Sequence, residues 1–354
     1  MVRSSACLVT GGAGFIGCAL SSHLADRFDH VIALDSLLPQ VHPGGERPRR
    51  LDHRVELVVG DVADPATWDA LLAQFKPEVV LHLAAETGTG QSLTESSRHA
   101  TANVLGTTTM LDALRRHEAV PKRLVLSSSR AVYGEGAWRT TNGEIFYPGP
   151  RPLAMLAAGQ WDFVGAEPLP MNAATVEPRP ASIYAVTKLA QEQLVTLWAD
   201  AFGVQAGILR LQNVYGPGQT PANPYTGIMS LFCRLARDKQ AIPLYEDGLV
   251  RRDFVFIDDV RDALLALVDA ETCPTHPLDV GSGGYHTIAE AARTIAAHYG
   301  APEPVVTGQF RHGDVRHAWA DADPAADRLG YQALVSLADG VAALAPYVDA
   351  ELDA

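Results

Sequence analysis

The sequence has few cysteines, no long hydrophobic run and no excess of positive charge. Its four cysteines lie far apart, without the C-x-x-C or Cys/His spacing of a metal site, and its 12 histidines form no cluster. We therefore predict reduced thiols, no metal ion and a cytoplasmic protein. No apolar stretch approaches the roughly 20 residues of a membrane span, and no charged-then-apolar signal segment precedes the first predicted strand. The formal net charge of −13 argues against nucleic acid or an anionic membrane as a partner.

A glycine-rich segment lies between a short apolar run, 6–10, and a helical pattern. Gly11, Gly14 and Gly17 have the spacing G-x-x-G-x-x-G. Such a turn bends tightly, lets the backbone approach a pyrophosphate and offers the free N–H groups of a helix N-terminus to the anion. The next apolar run ends at Asp35, where a carboxylate can accept both ribose hydroxyls of an adenosine and repels a 2′-phosphate. We therefore predict a site for NAD(H) rather than NADP(H).

Apolar runs of about five residues alternate with helical patterns through the first 212 residues. This alternation predicts a Rossmann-type, doubly wound parallel α/β sheet that binds ligands at the carboxyl ends of its strands. Glycines and prolines then mark a smaller C-terminal α/β substrate domain, so that the predicted domains are 1–212, with 254–270 packing back on it, and 213–354. The apolar runs are 6–10, 30–34, 55–59, 79–83, 123–126 and 206–211, and the clearest helical patterns are 65–75, 103–117 and 183–202.

A phenol and an ammonium lie four residues apart at the start of the pattern 183–202. Tyr184 and Lys188 share one helix face, so the Lys188 charge can lower the pKa of the Tyr184 hydroxyl from about 10 and make it a general base. Any surface helix can carry this spacing, so the spacing alone is weak evidence for a catalytic site. The serines 127–129 follow the fifth apolar run as a simple turn or as part of a catalytic site. Asp61 can either reach an adenine edge or cap the next helix.

These motifs occur in order along nearly the whole chain: residues 10–17, Asp35, the pair 60–61, residues 129–134 and Tyr184 with Lys188. With them the sequence resembles the extended short-chain dehydrogenase/reductase family, in its branch of NAD-dependent epimerases and dehydratases acting on nucleotide sugars. The resemblance implies that Tyr184 is the catalytic base, that Lys188 binds the nicotinamide ribose and lowers the tyrosine pKa, and that Ser129 hydrogen-bonds the substrate. The implied NAD-binding residues are Gly11, Gly14, Phe15, Ile16, Gly17, Asp35, Ser36, Asp61, Val62, Leu83, Ala84, Ala85, Asn103, Ser127, Tyr184 and Lys188.

The two residues after Ser129 separate the reactions of this family. Its 4,6-dehydratases carry Asp-Glu there, a proton donor and a base that remove water, whereas this sequence has Arg130 and Ala131. The resemblance therefore implies 4-epimerisation through a transient 4-ketone with retained NAD. The long segment 135–180 and residues 84–92 resemble those of family members that act on a dTDP-6-deoxyhexose, so the resemblance implies that substrate. The alternatives are epimerisation of a UDP-hexose or UDP-hexuronate, 4-keto reduction, and a non-catalytic dinucleotide sensor.

The resemblance also implies nucleotide-sugar contacts and a homodimer. A planar guanidinium suits a diphosphate, so Arg252 and Arg311 are the expected clamps, although each could instead form a surface salt bridge. Asp258 and Asp259 are expected to cap the next helix. The family implies a four-helix bundle in which the helices near 103–117 and 183–202 pair with their mates. The implied substrate-binding residues are Glu86, Thr87, Ser129, Arg130, Asn213, Tyr245, Arg252 and Arg311.

We predict two loops from proline-rich segments and a helix at the end of the chain. Residues 39–54 predict a surface loop with solvated charges, and residues 135–180 predict an ordered loop at the edge of the sugar pocket. The chain is expected to close with one helix and a frayed acidic end. Three aromatic residues of the second loop either cover the sugar or pack the loop on the body of the protein: Trp138, Tyr147 and Trp161.

Overall fold

The structure, a computed structural model, describes residues 5–221, 227–311 and 313–353. The strands are β1 (Ala6–Thr10), β2 (His30–Asp35), β3 (Glu56–Val59), β4 (Val79–His82), β5 (Arg123–Ser129), β6 (Trp138–Thr140), β7 (Ile145–Phe146), β8 (Ala166–Pro168), β9 (Gln205–Leu211), β10 (Asn213–Tyr215), β11 (Pro243–Leu244), β12 (Arg251–Arg252), β13 (Phe254–Phe256), β14 (Leu278–Val280), β15 (His286–Thr287), β16 (Val305–Val306) and β17 (His317–Ala318). The α-helices are α1 (Phe15–Ala25), α2 (Pro65–Leu72), α3 (Thr89–Thr94), α4 (Ser96–Ala100), α5 (Gly106–Arg116), α6 (Leu153–Ala157), α7 (Ile183–Phe202), α8 (Ile228–Arg237), α9 (Ile257–Asp269), α10 (Ile288–Tyr299), α11 (Asp323–Leu329) and α12 (Leu337–Asp353). A π-helix, Thr101–Leu105, leads into α5, and a 3-10 turn, Arg130–Tyr133, follows β5. Among the described residues, no helix is both long and apolar enough to cross a membrane.

Seven parallel strands form the central sheet in the order β14-β9-β5-β4-β1-β2-β3. Alternate residues of β1 enter different cores: Cys7 and Val9 pack on one face of the sheet, and Ala6 and Leu8 on the other. Because both faces are covered, a strand can be apolar along its whole length. The strand order reverses between β1 and β4, which is where a doubly wound sheet binds its ligand. The predicted fold class is thus confirmed.

Residues after β10 build a smaller lobe and also return to the large sheet. Helices α8, α10 and α12 surround a separate core that includes Phe232, Ile295 and Leu344. Between α8 and α10 the chain returns to the large sheet, where α9 packs against α1 and β14 forms the edge strand. We therefore propose that the first domain consists of residues 1–212 together with α9 and β14, and that the remainder of 213–354 forms the second.

The segment 135–180, called the insertion below, is a small folded module rather than a loop alone. Its strand β6 pairs antiparallel with β7 and β8, and α6 follows β7. Trp138 is 0% exposed and packs edge-on against Phe163, so it stabilises the module and does not cover a sugar. Tyr147 and Trp161 likewise contact protein side chains.

Asp258 and Asp259 lie in the first turn of α9, but the prediction that they cap it is wrong. The N-cap residue is Phe256, which makes no side-chain capping hydrogen bond. Asp259 instead accepts hydrogen bonds from the backbone N–H groups of Leu334, at 2.9 Å, and Val335, at 3.3 Å. Its carboxylate therefore holds the segment before α12 against α9.

Two surface segments are more ordered than the sequence indicated. Two helices, α11 and α12, stand where one was predicted, and α12 continues to Asp353, whose carboxylate pairs with Arg237. Residues 39–54 form a loop, but its charges are not simply solvated, since Arg54 pairs with Asp52 at 2.9 Å.

Candidate active site

The glycine turn between β1 and α1 has the geometry of an anion cradle. Gly14 is the N-cap residue of α1 and supplies no side-chain cap, so the N–H groups of the first turn remain for a ligand. A Cβ at Gly11 would lie 2.7 Å from Ala84 N, and a Cβ at Gly17 would lie 2.5 Å from Gly12 O, so packing requires glycine at both positions. A Cβ at Gly14 would meet only Gly11 O, at 3.2 Å, so the space beside it is open. The turn therefore fits a pyrophosphate.

Asp35 stands at the carboxyl end of β2, beside the glycine turn. Its Oδ2 accepts a hydrogen bond from Ala13 N at 3.0 Å, and its Oδ1 accepts one from Leu37 N at 2.9 Å. These bonds fix the carboxylate while each oxygen keeps a lone pair for a ribose hydroxyl. Ser36, the next residue, is exposed. The turn and this carboxylate together fit the dinucleotide NAD.

The other predicted cofactor residues follow neighbouring strands or open α1. Asp61 follows β3, and its Oδ1 accepts a hydrogen bond from Ala63 N at 2.8 Å. The residue that caps α2 is Asp64, so the interpretation of Asp61 as the cap is wrong. The side chain of Asp61 is exposed and is available to an adenine edge. The remaining residues lie at the ends of β3, β4 and β5 or in the first turn of α1: Phe15, Ile16, Val62, Leu83, Ala84, Ala85 and Ser127.

The N-terminus of α7 brings Tyr184 to the end of β5. Ser182 caps this helix by accepting a hydrogen bond from Ala185 N at 3.1 Å, which places Tyr184 in the first turn. Ser129 is the last residue of β5, and its hydroxyl lies near enough to the Tyr184 phenol to favour the ionised form of that phenol. Since Ser129 Oγ accepts from Ala131 N at 3.2 Å, its own proton is left for the phenol or a substrate.

The electrostatics around Tyr184 differ from the sequence prediction. Burial raises the pKa of the Tyr184 hydroxyl, while the nearby Ser129 hydroxyl and the charge of Arg130 act to lower it. The sequence predicted that Lys188 would lower this pKa, whereas the cation beside the phenol in the structure is Arg130. The reason is that Lys188 Nζ is directed along α7 to Gln191, one turn further on.

Lys188 ends a buried hydrogen-bond network that sequence reasoning missed. Its Nζ donates to Gln191 Oε1 at 2.6 Å, and Gln191 Nε2 donates to Thr107 Oγ1 at 2.9 Å. His82 joins Thr107 through Nε2, at 2.8 Å, and Thr10 through Nδ1, at 2.7 Å. Burial lowers the pKa of Lys188 to about 7 and the pKa of His82 to about 3, so His82 is neutral. The one available signal was the position of Gln191 three residues after Lys188, on the same helix face.

Replacing Gln191 by Leu should move the alkaline limb of the pH–rate profile to lower pH by about one unit or more. The Gln191 oxygen stabilises the ammonium form of Lys188, and a hydrogen bond to a charged group contributes roughly 1.5–3 kcal/mol, with about 1.4 kcal/mol per pKa unit. Gln191→Glu should move the same limb to higher pH, because a carboxylate favours the ammonium. The dependence of kcat/KM on pH measures both shifts. Superimposable profiles for all three proteins would exclude this role.

Two half-buried guanidinium groups share one cavity between the lobes. Arg130 and Arg252 both line this cavity of about 50 Å³. Arg130 Nε donates to Asn213 Oδ1 at 2.8 Å, and Arg252 donates to the backbone oxygens of Val315, at 2.6 Å, and Arg316, at 3.1 Å. Burial lowers the pKa of Arg252 to about 9, and the charge of Arg130 acts in the same direction. Two cations held this close are stabilised by a ligand with two negative charges, such as a diphosphate.

Arg311, the other arginine predicted to bind the diphosphate, lies outside the cavity of Arg252. The Arg311 guanidinium stacks over the Tyr245 ring at 5.1 Å, and neither residue lines the cavity of Arg252. The alternative interpretation of Arg252 as a surface salt bridge is wrong, because its described partners are backbone oxygens.

The loop after β4 is held by the π-helix that precedes α5. Asn103 Oδ1 accepts from Glu86 N at 2.7 Å, and Asn103 Nδ2 donates to Glu86 O at 3.0 Å. The Glu86 carboxylate is already paired with Arg98 at 2.9 Å, and Thr87 is exposed. Thr89, which the sequence prediction omitted, is the residue of this loop that lines the cavity.

Comparison with known proteins agrees with this geometry. The sequence pattern of the NAD dependent epimerase/dehydratase family matches residues 7–152 and 161–281. The chain is 54% identical over 353 residues to the dTDP-L-rhamnose 4-epimerase of Burkholderia thailandensis, covering 100% of this chain and 97% of that protein. It also resembles two solved UDP-glucose 4-epimerases. The Thermotoga maritima enzyme with UDP-glucose has a TM-score of 0.79 and 26% identity, over 98% of this chain and 99% of that chain. The Thermus thermophilus enzyme with NAD has a TM-score of 0.76 and 25% identity, over 97% of this chain and 99% of that chain.

Proposed function

Because the chain belongs to the NAD dependent epimerase/dehydratase family, we propose that it is a dTDP-L-rhamnose 4-epimerase, which inverts C4 of the sugar to give dTDP-6-deoxy-L-talose. The identity with a protein of that name extends over the whole chain and supports this substrate. In the structure, the observation that carries the proposal is the position of Tyr184 in the first turn of α7, near Ser129 and Arg130 and beside the cavity of Arg130 and Arg252.

The side chains of the site handle protons, and the cofactor supplies the redox chemistry. NAD, held by the glycine turn and Asp35, would supply the hydride acceptor and donor for C4, so that the alcohol could become a ketone and be reduced again on its opposite face. Tyr184 accepts the proton of the C4 hydroxyl and gives it back to the product alcohol. Ser129 orients the reacting oxygen, and the Arg130 charge favours the phenolate form of Tyr184. Lys188 is assigned to the nicotinamide ribose.

The residues after Ser129 favour epimerisation over dehydration. Removal of water across C5 and C6 needs an acid and a base at positions 130 and 131, and Arg130 and Ala131 can be neither. Arg130 Nε is moreover committed to Asn213 at 2.8 Å. One hydroxyl therefore exchanges protons with one tyrosine, which suits inversion at a single carbon.

We assign the substrate diphosphate to Arg252, Arg130 and Asn213, which meet at one cavity or border it. The stacked pair of Arg311 and Tyr245 is assigned to the nucleoside end of the substrate, because a flat guanidinium on an aromatic ring suits a planar base.

A panel of nucleotide sugars tests the substrate. The purified protein is incubated with dTDP-L-rhamnose, dTDP-glucose, UDP-glucose, UDP-glucuronate and a GDP-hexose, and the configuration at C4 is read by proton NMR. We expect kcat/KM for dTDP-L-rhamnose to exceed every other value at least about tenfold. A higher value for UDP-glucose or UDP-glucuronate would reassign the substrate, and stoichiometric consumption of added NADPH would indicate 4-keto reduction.

We also propose that the protein is a cytoplasmic homodimer built on α7 and the helix preceding α5. Val186 and Leu197 on α7 are 51% and 70% exposed, and Leu105 is 50% exposed. Apolar side chains exposed on adjacent helices are typical of a protein interface. The net charge of −13 disfavours nucleic acid and anionic membranes as partners.

Leu197→Glu should convert the dimer into a monomer, because it places a charge in the apolar interface. Light scattering after size-exclusion chromatography measures the mass. Val164→Glu is the matched control, since Val164 is 85% exposed but lies on the insertion. A dimeric Leu197→Glu variant, or a monomeric wild-type protein, would contradict the proposed interface.

A further inference from the structure

A buried ionic cluster fastens the insertion to the second lobe. Its two arginines, Arg151 and Arg316, have side chains that are each only 1% exposed, and they pair with carboxylates from both parts of the chain. We call these side chains the ionic brace. Its members from the insertion are Glu135, Arg151 and Asp162, and its members from the second lobe are Glu246, Asp247 and Arg316.

Arg151 joins the insertion to the loop after β11. Its Nη1 and Nη2 donate to the two carboxylate oxygens of Glu246, at 2.9 and 2.8 Å, and its Nε donates to Glu135 at 3.3 Å. A bidentate pair of this kind fixes orientation as well as distance. A buried arginine in this position therefore sets how the insertion sits on the second lobe.

Arg316 makes the corresponding contacts from the second lobe. Its Nε and Nη2 donate to the two oxygens of Asp162, at 3.0 and 3.1 Å. Its Nη1 and Nη2 donate to Asp247, at 2.8 and 2.9 Å, and Nη1 also reaches Glu246 at 2.9 Å. Asp162 Oδ1 also accepts a hydrogen bond from His317 Nε2 at 2.9 Å, because His317 Nδ1 accepts from Arg251 N and the ring proton therefore lies on Nε2. The side chains of residues 316 and 317 are thus both held by one carboxylate of the insertion.

The brace also fixes the backbone that holds Arg252. Arg151 Nη2 donates to Asp314 O at 2.9 Å, and Glu135 Oε2 accepts from Arg316 N at 3.0 Å. The segment between these anchors supplies the oxygens of Val315 and Arg316 that accept from Arg252. The guanidinium of Arg252 is therefore positioned by a backbone that the insertion itself positions.

The charges of the brace are consistent with this arrangement. Its four carboxylates outnumber its two arginines, and Glu135 and Glu246 help to keep the nearby Arg252 charged against the effect of burial. The two positive charges of Arg252 and Arg130, which line the cavity, balance this excess negative charge. The brace thus helps to keep Arg252 charged and fixes the position of its guanidinium, which remains able to bind an anion in the cavity.

We propose that the insertion is a positioning element of the diphosphate site, in which Asp162 and Arg151 act through backbone residues 314–316 on Arg252. This rests on the proposed function only in taking a nucleoside diphosphate sugar as the ligand. Neither Asp162 nor Arg151 lines the cavity of Arg130 and Arg252, so neither touches the substrate. They are positioning residues, and their removal lowers the affinity for the diphosphate rather than the rate of proton transfer.

Asp162→Asn tests the proposal without leaving a buried charge unpaired. Asp162 is 49% exposed, and its partner Arg316 still pairs with Asp247 and Glu246 in the variant. Calorimetric titration of the NAD-loaded variant with dTDP alone should give a Kd raised about tenfold, with KM raised similarly and kcat changed less than about twofold. Asp162→Glu, which keeps the charge, should recover most of the affinity. Glu167→Gln is the matched control, since Glu167 is 68% exposed in the insertion and lies 3.5 Å from Arg139.

A double-mutant cycle separates positioning from general loosening of the fold. If Asp162 acts through Arg252, Asp162→Asn should change the dTDP affinity less than about twofold in an Arg252→Lys background. The proposal is overturned if Asp162→Asn leaves the dTDP affinity unchanged, or if its effect is the same in both backgrounds. A wild-type protein that binds UDP but not dTDP would refute the proposed substrate instead, and the same cycle is then measured with UDP.

Discussion

Replacing Tyr184 by Phe should lower kcat about a thousandfold while the protein keeps its fold and its NAD. The substitution removes one hydroxyl, and that hydroxyl is the group that exchanges a proton with C4 of the sugar. The ring that packs at the start of α7 remains, and Ser182 still caps the helix. Single-turnover and steady-state rates at C4, together with the NAD content of the purified variant, measure the effect.

The control for this substitution is Tyr285→Phe. Tyr285 is 42% exposed and packs on Trp319 outside the cavity, so loss of its hydroxyl should leave kcat within about twofold. Turnover of Tyr184→Phe within tenfold of the wild-type rate would assign the proton transfer to another group, with Ser129 the first to examine.

Arg210→Met should lower the free energy of unfolding by roughly 3–5 kcal/mol, because it leaves a buried carboxylate without its partner. Arg210 Nε and Nη2 donate to the two oxygens of Glu192, at 2.9 and 2.7 Å, and both side chains are nearly inaccessible, at 5% and 6%. Ser128 also donates to Glu192, and Arg210 stacks over Tyr133 at 4.8 Å. The pair therefore joins β9, α7 and the segment that carries Ser129. Urea unfolding followed by circular dichroism measures the loss.

Two further variants decide whether the loss comes from the unpaired charge. Arg139→Met removes an arginine that is 47% exposed and 3.5 Å from Glu167, and it should cost less than about 1 kcal/mol. In the double variant Arg210→Met, Glu192→Met, no carboxylate is stranded, so it should be more stable than Arg210→Met alone. A double variant less stable than the single one would show that the loss comes from packing.

The large sheet could be recognised in the sequence because its strands are buried on both faces. Residues 6–9 of β1 and 31–34 of β2 alternate between two cores, so no polar residue interrupts either apolar run. The helix α7 was predicted at its observed bounds, since Ser182 caps its start and Gly203 ends it with a left-handed φ of 67°. Local signals of this kind are present in the sequence before any tertiary contact forms.

The elements that sequence reasoning missed depend on contacts between distant residues. The seventh strand, Leu278–Val280, has three residues and is defined by its pairing with β9. The strands of the insertion have two or three residues, which is too short for an alternating pattern. Only the tertiary structure shows that 135–180 folds as a module.

In the candidate site, the sequence likewise predicts some features, and others become visible only in the tertiary structure. The positions of Ser129, Tyr184, Lys188 and Arg252 follow from motifs with fixed spacing, and the structure brings Ser129 to Tyr184 and Arg252 to Arg130. The partners of these residues do not follow from spacing. Lys188 meets Gln191 and, through it, a network reaching back to β1 and β4, which the sequence separates by more than 100 residues from α7. The role of Arg130 as the cation beside the phenol likewise appeared only when β5 and α7 were placed together.

In the proposed reaction, C4 of dTDP-L-rhamnose is inverted by removal and return of the same hydrogen atom. The most direct measurement uses dTDP-L-rhamnose deuterated at C4, incubated with the enzyme in ordinary water without added NAD(P)H, and follows both sugars by NMR and mass spectrometry. We expect dTDP-6-deoxy-L-talose that retains the deuterium at C4. Product that has exchanged the label for solvent hydrogen, or the absence of any C4 epimer, would contradict it.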